Sequence, residues 1–271
     1  MVAPLEPLKR IPWLPTRGKA DRWYAPSEIY ADYQAYLFES QALILDLPNR
    51  VQTSSRELLE FLGVRLSPEP SLVVGHLLHF ASKGTAINPG VYDFLNDKSG
   101  DPAIAQLRGK SCLWLVDAYR RPDEVFWGDH PFGRYRWRLG DQLKAYSKLL
   151  TAIHVSEAPA NKDFLKVIKE ISADFGTANK PLDQEAYSVL LECWRGLNRA
   201  LRNRLISESE VKALGSLKCV PDKTQVLNRP DWMFFENRAG LADKFGSFLS
   251  RNVIPRPLET GDALAAAGVR P

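Results

Sequence analysis

Six arginines have spacings that could hold an anion. Arg134-Tyr135-Arg136-Trp137-Arg138 alternates basic and aromatic side chains. On a strand, a period of two sets three guanidinium groups on one face, where they could grip phosphates while the aromatics stack on bases. Arg195, Arg199 and Arg202 follow i, i+4, i+7 and form a ridge on one helix face. Each set also has a plainer reading. The first could be a solvated strand over buried aromatics, the second an exposed helix face paired with Asp or Glu. With 36 Lys and Arg against 32 Asp and Glu, the net charge is +4, and so small an excess favours the plainer readings.

Other chemistry-bearing residues are sparse. Asp117, Asp129 and His130 are the residues an unrecognised enzyme site would use, but an Asp beside a His in sequence is more often a loop feature than a dyad. His76 and His79 are three apart on a predicted helix, and no Cys-x-x-Cys pair exists to complete a zinc site with them. Cys112, Cys193 and Cys219 are too few and too scattered for a disulfide framework and read as reduced thiols of a cytoplasmic protein. Phosphate-loop, dinucleotide, zincin and serine-elbow motifs are absent, so no cofactor, metal or catalytic residue is assigned.

The elements that must carry these residues point to repetition. A chain of 271 residues, 45% hydrophobic and 25% charged, has the composition of an ordinary globular protein. It has no apolar run long enough for a membrane helix and no apolar core of a signal peptide. Three segments share Pro, Ser or Asp, a variable residue, an aliphatic or Met, and an aromatic. They are Pro26-Ser27-Glu28-Ile29-Tyr30, Pro122-Asp123-Glu124-Val125-Phe126 and Pro230-Asp231-Trp232-Met233-Phe234. Each follows a short apolar stretch, starting at Ile11, Cys112 and Leu217, with Trp13, Trp114 and Cys219 at related positions. An apolar strand, a polar turn and a Pro-started second arm suggest a hairpin, with the Ser or Asp bonding a following backbone N–H. Each precedes a helix stop, at Gly63-Val64, His154-Val155 and Gly268-Val269.

Between these segments the periodicity is helical. Ser54-Ser55-Arg56-Glu57 and Ser207-Glu208-Ser209-Glu210 read as capping boxes, and Ser71 as a helix cap ahead of the Val74, Leu77, Leu78 and Ala81 face. A helix from Asp183 carries the stripe Tyr187, Leu190, Trp194, Leu197, Leu201 and Leu205. The expected fold class is α+β: tandem repeats of a short strand pair plus helices, joined by helical segments. The units are 1–109, lacking a leading helix, 110–215, and 216–271, truncated. The chain reads as a piece of a longer array.

With these motifs and Leu62-Gly63-Val64 in view, the sequence resembles the repeat regions of sacsin-type proteins. In those proteins such repeats lie between or after ATPase modules related to gyrase, histidine kinases and a heat-shock chaperone. The Asp-x-Gly-x-Gly loop of that ATPase does not occur here, so no catalytic residue is carried over. The resemblance implies a non-catalytic scaffold segment of a large ATP-dependent, chaperone-like or defence-type protein. Its partners would be other domains of the parent chain or other proteins, with no membrane. The alternative is a nucleic-acid-binding region that uses the two arginine sets.

Overall fold

The protein is described by a computed structural model covering residues 3–19, 21–236, 252–254 and 258–271. The chain divides into two compact units, Met1–Val125 with Leu139–Ser156, and Phe126–Arg138 with Glu157–Pro271. The expected boundaries at 109/110 and 215/216 are therefore not where the compact bodies divide. Of the expected third unit, residues 237–251 and 255–257 lie outside the described residues.

In the first unit a 3-10 segment, Ala3–Lys9, precedes the antiparallel strands β1 (Leu14–Pro15) and β2 (Trp23–Tyr24). A 3-10 turn, Pro26–Glu28, leads into β3 (Ile29–Tyr30), which pairs in parallel with β4 (Leu43–Ile44). Helices α1 (Asn49–Ser54), α2 (Arg56–Leu62), α3 (Pro70–Lys83) and α4 (Gly90–Asp97) follow. A 3-10 segment, Pro102–Leu107, then precedes the antiparallel strands β5 (Leu113–Leu115) and β6 (Ala118–Arg120) and the turn Pro122–Glu124. Two short helices, α5 (Asp141–Lys144) and α6 (Ser147–Ala152), complete this unit. Strand β7 (Val125–Phe126), at the junction of the units, pairs with β8 (Trp137–Arg138).

The second unit contains α7 (Asn161–Ile171), running into a π turn at Ser172–Gly176, then α8 (Gln184–Arg202) and α9 (Glu208–Lys212). Strands β9 (Val220–Pro221) and β10 (Leu227–Asn228) are antiparallel. After the turn Pro230–Trp232, β11 (Phe234–Phe235) runs parallel to β12 (Val253–Ile254), and α10 (Gly261–Ala267) ends the unit. The molecule is thus α+β, with small separate two-stranded sheets among helices.

One set of local bonds occurs three times. The backbone N–H groups of Trp13, Cys112 and Cys219 donate to the carbonyls of Tyr24, Arg120 and Asn228 at 3.2, 3.1 and 3.0 Å. The side chains of the same residues donate five residues back. Trp13 Nε1 reaches Leu8 O at 2.9 Å, Cys112 Sγ reaches Leu107 O at 3.7 Å and Cys219 Sγ reaches Leu214 O at 3.6 Å. The equivalent residue in the middle segment is therefore Cys112, and Trp114 aligns with Pro15 and Pro221. Leu8 lies in the Ala3–Lys9 segment, so the first of these segments does have a leading helical element, of 3-10 type.

The turn that follows differs from the expected hairpin arm. Residues Ala25, Arg121 and Arg229 are extended, as residues before proline must be, and Pro26, Pro122 and Pro230 open a 3-10 turn that suits their fixed φ. The second arm of each hairpin (β2, β6, β10) lies before the proline, and the strand after it pairs elsewhere. The residue after Ser27 and Asp123 closes each turn by bonding a preceding backbone N–H. Glu28 Oε2 accepts from Ala25 N–H at 2.9 Å and Glu124 Oε2 from Arg121 N–H at 3.2 Å. In the third segment that position is Trp232, and Asp231 pairs with Arg229 at 2.8 Å.

The helix stops match the expected pattern. Val64, Val155 and Val269 N–H groups donate to Leu59, Leu150 and Leu264 carbonyls at 2.9, 2.9 and 3.0 Å, closing Schellman turns. The residue before each valine has positive φ: Gly63 at 99°, His154 at 67° and Gly268 at 117°. Arg65 N–H then bonds Ile29 O, and Arg270 N–H bonds Met233 O, both at 3.0 Å.

The capping expectations divide. Ser207 makes its box: its N–H donates to Glu210 Oε2 at 2.9 Å, and its Oγ accepts from Glu210 N–H at 3.4 Å. Ser55 makes no cap bond because α1 ends immediately before it, and Ser54 Oγ turns back to Val51 O. Ser71 is inside α3, whose cap position is Glu69 with Pro70 in the first turn. Leu205 lies beyond the end of α8 and is exposed, so the buried stripe stops short of it.

Of these three stops, only the one at His154 has a non-glycine at its left-handed position, where a Cβ costs about 1–2 kcal/mol and glycine costs about 0.5–1 kcal/mol in chain entropy. His154→Gly should therefore stabilise the chain by about 0.5 kcal/mol, and Gly63→Ala should destabilise it by a similar amount. Urea unfolding midpoints of the two variants should move in opposite directions.

Candidate interaction site

The Arg-Tyr-Arg-Trp-Arg segment does not form one strand. Gly133–Tyr135 is a 3-10 turn and only Trp137–Arg138 is strand, so the period of two is broken and the three guanidinium groups do not share a face. Each is held by a carboxylate of its own unit. Arg134 Nη2 donates to Asp183 Oδ2 at 2.7 Å, and Glu185 Oε1 accepts the Arg134 N–H at 2.9 Å. Asp183 also caps α8 by accepting Ala186 N–H at 2.8 Å. The Arg134 guanidinium holds the Asp183 carboxyl below the usual carboxylate range, and the capped amide adds to the effect. Arg136 is 4% exposed and makes a fork with Glu170, at 2.6 and 3.0 Å. Arg138 meets Asp129 at 2.8 Å on an open surface. All three guanidinium groups are thus ion-paired within the unit, in line with the plainer of the two readings.

The residues of the enzyme alternative are also occupied. Asp117 sits in the β5–β6 turn, 3.9 Å from Arg120. Asp129 is taken by Arg138, and His130 Nδ1 accepts the Phe132 N–H at 3.3 Å. His76 is buried with Nδ1 2.7 Å from Ser40 Oγ, and burial lowers its pKa, favouring the neutral ring. His79 packs edge-on to Phe80. Among the described residues no group of three His, Cys, Asp or Glu is placed to hold a metal. All three cysteines are buried, and burial pushes the Cys112 and Cys219 thiols up to about 12 and raises Cys193 as well.

The second arginine set lies together as the spacing requires. Arg195, Arg199 and Arg202 line an open cleft of about 530 Å³ in the second unit, with Asn198 and Asn203. Helix α8 supplies these arginines on one ridge while burying Val189, Cys193, Trp194 and Leu197 on its other side. Two of the arginines are fixed by carboxylates. Arg195 Nη1 meets Glu192 at 2.6 Å, and its Nε meets Glu259 at 2.7 Å. Arg202 Nε meets Asp262 at 2.7 Å, and its Nη2 donates to Leu258 O at 2.9 Å. Among the described residues Arg199 alone of the three has no carboxylate partner, and it is exposed. Asn198 is nearly fully buried and accepts the Ala263 N–H at 2.9 Å through Oδ1. Sequence reasoning missed Asn198, Asn203, Glu192 and Glu259. The asparagines flank Arg199 and Arg202 and were within reach of a helical reading. Glu259 is distant in sequence and gives no local signal.

No helix among the described residues is long and apolar enough to cross a membrane. No protein-family model, curated protein or solved structure matches this chain.

The two structural arginine pairs differ in burial, and that difference is measurable. Glu170→Ala leaves the buried Arg136 charge without its fork and should cost about 2–3 kcal/mol, toward the lower end of buried pairs because Glu170 is half exposed. Arg138→Ala breaks an exposed pair and should cost under about 0.5 kcal/mol. Chemical denaturation of both variants tests the contrast, and equal losses would contradict it.

Proposed function

We propose that this chain is a non-catalytic scaffold segment built of tandem α+β units, acting through contacts with other domains of a parent chain or with other proteins. The parent would be a cytoplasmic, ATP-dependent chaperone-like or defence-type protein of the sacsin type. One observation carries the reading: the set of bonds made three times. It comprises the strand-start N–H, the side-chain bond five residues back, the proline-opened 3-10 turn and the Schellman stop ending in valine. Such a set arises readily where one short unit has been copied in tandem, since each copy must satisfy the same backbone groups.

The intervening helices give the reading a physical role. Tyr92 of α4 donates its hydroxyl to Cys112 O at 2.7 Å, and Trp194 of α8 donates Nε1 to Cys219 O at 3.2 Å. Each intervening helix thus plugs the strand that follows it. A unit too small to bury its own core would be stabilised in this way by its neighbour. The nucleic-acid alternative is less favoured because Arg134, Arg136 and Arg138 are paired with Asp183, Glu185, Glu170 and Asp129.

Calorimetry with ATP and magnesium tests the non-catalytic part. No saturable heat is expected, and micromolar binding by the isolated chain would overturn it. An experimental structure in which Trp13–Val64, Cys112–Val155 and Cys219–Val269 have unrelated backbones would overturn the tandem part.

A further inference from the structure

In the cleft on α8, two arginines are ordered by carboxylates and a third stands open. We propose that this cleft binds an extended acidic segment of a protein partner, with two carboxylates at alternate residues, and that Arg199 is its anchor. The proposal rests on the scaffold reading above and names the kind of partner that surface takes.

Three features lead to this ligand class. The first is unspent donors. Among the described residues, Arg195 Nη2, Arg202 Nη1 and the whole Arg199 guanidinium are free, while the other nitrogens of Arg195 and Arg202 are fixed by Glu192, Glu259, Asp262 and Leu258 O. Two of the three cations are therefore pre-oriented, which lowers the ordering cost of binding. The second is length. Seven residues of helix rise about 10 Å, with about 6 Å from Arg195 to Arg199 and about 4.5 Å from Arg199 to Arg202. Alternate side chains of an extended peptide lie on one side, about 6.7 Å apart, close to the first of those steps. The third is charge density. Glu192 and Glu259 share the lining and both meet Arg195, so the Arg195 end of the cleft carries negative as well as positive charge. A nucleic-acid strand presents charge continuously and would meet both glutamates. A peptide with spaced carboxylates and neutral residues between them places negative charge only where the arginines stand. Asn203, exposed on the same lining, provides an amide group for the peptide backbone.

The test uses the full chain and two peptides, Ac-Gly-Glu-Gly-Glu-Gly-amide and the Gln-for-Glu version, titrated by NMR at low salt. The acidic peptide should bind saturably in the sub-millimolar to millimolar range, weaken several-fold in 0.5 M salt, and weaken about tenfold or more in Arg199→Gln. Arg199 is exposed and unpaired, so the variant should keep the parent's circular dichroism and melting temperature. Arg138→Gln, outside the cleft, should bind as the parent does. Equal binding of the Gln peptide, indifference to Arg199→Gln, or no saturable binding of the acidic peptide would each overturn the proposal. So would tighter, Arg199-dependent binding of a dodecathymidylate strand, which would assign the cleft to nucleic acid. Failure of the peptide leaves the scaffold reading standing on its repeated bonds, whereas ATP binding would sink that reading without touching the peptide result.

Discussion

Strands of two or three residues cannot satisfy their own backbone, and much of this fold is arranged around that deficit. An ordinary sheet pairs its inner strands on both sides. Here β5 has β6 on one side, and on the other the Tyr92 hydroxyl accepts the Trp114 N–H at 3.0 Å and donates to Cys112 O. In the second unit β9 pairs with β10, and Trp194 Nε1 supplies the donor for Cys219 O. Each of these side chains is buried, so each bond is made in a medium where an unmade one would cost about 1–3 kcal/mol. The helices between the strand pairs are therefore more than spacers. Their register is fixed by the need to bring a phenol or an indole to a particular carbonyl.

This explains which parts of the fold could be read from sequence. The helix stops were legible because a Schellman turn needs a left-handed residue, and Gly63 and Gly268 announce it; His154 kept the pattern because the flanking leucine and valine still seal the turn. Ser207 was legible as a cap because its bonds span only three residues, and Asp183 was legible as the start of a helix that it also caps. The hairpin arms were misplaced because proline was taken to begin a strand, whereas its fixed φ and missing N–H suit the first residue of a 3-10 turn better. The related strand position was misassigned for a different reason. Two tryptophans looked equivalent by type, but the backbone aligns Trp13 with cysteines. Indole and thiol can fill one position there because the position requires a donor directed at the carbonyl five residues back, and both have one.

The arginines were the least legible residues, because their roles depend on carboxylates far along the chain. Alternation in Arg134 to Arg138 implied a strand, and Gly133 with φ of 47° already turns the backbone out of it. Nothing local says that Glu170 lies below Arg136, or that Asp183 serves both as a helix cap and as a counter-ion for Arg134. Helix periodicity, by contrast, gave the Arg195, Arg199 and Arg202 ridge correctly, since three side chains on one helix stay together whatever packs against it.

The contrast between the two arginine sets also separates folding from recognition. Arg136 is buried and bonded to a glutamate across the unit, so it contributes to the tertiary structure and presents almost nothing to solvent. Arg199 stands in the open between two arginines whose guanidinium groups are already oriented by acidic neighbours. Those acidic neighbours do two things at once. They hold the flanking cations in place at little cost in side-chain entropy, and they keep the local charge low enough that a dense polyanion gains less than its total charge would suggest. A cleft made only of arginines would attract any anion strongly. One that sets Glu192 and Glu259 against Arg195 and leaves Arg199 open gives up affinity for dense anions and favours ligands whose negative charges are spaced.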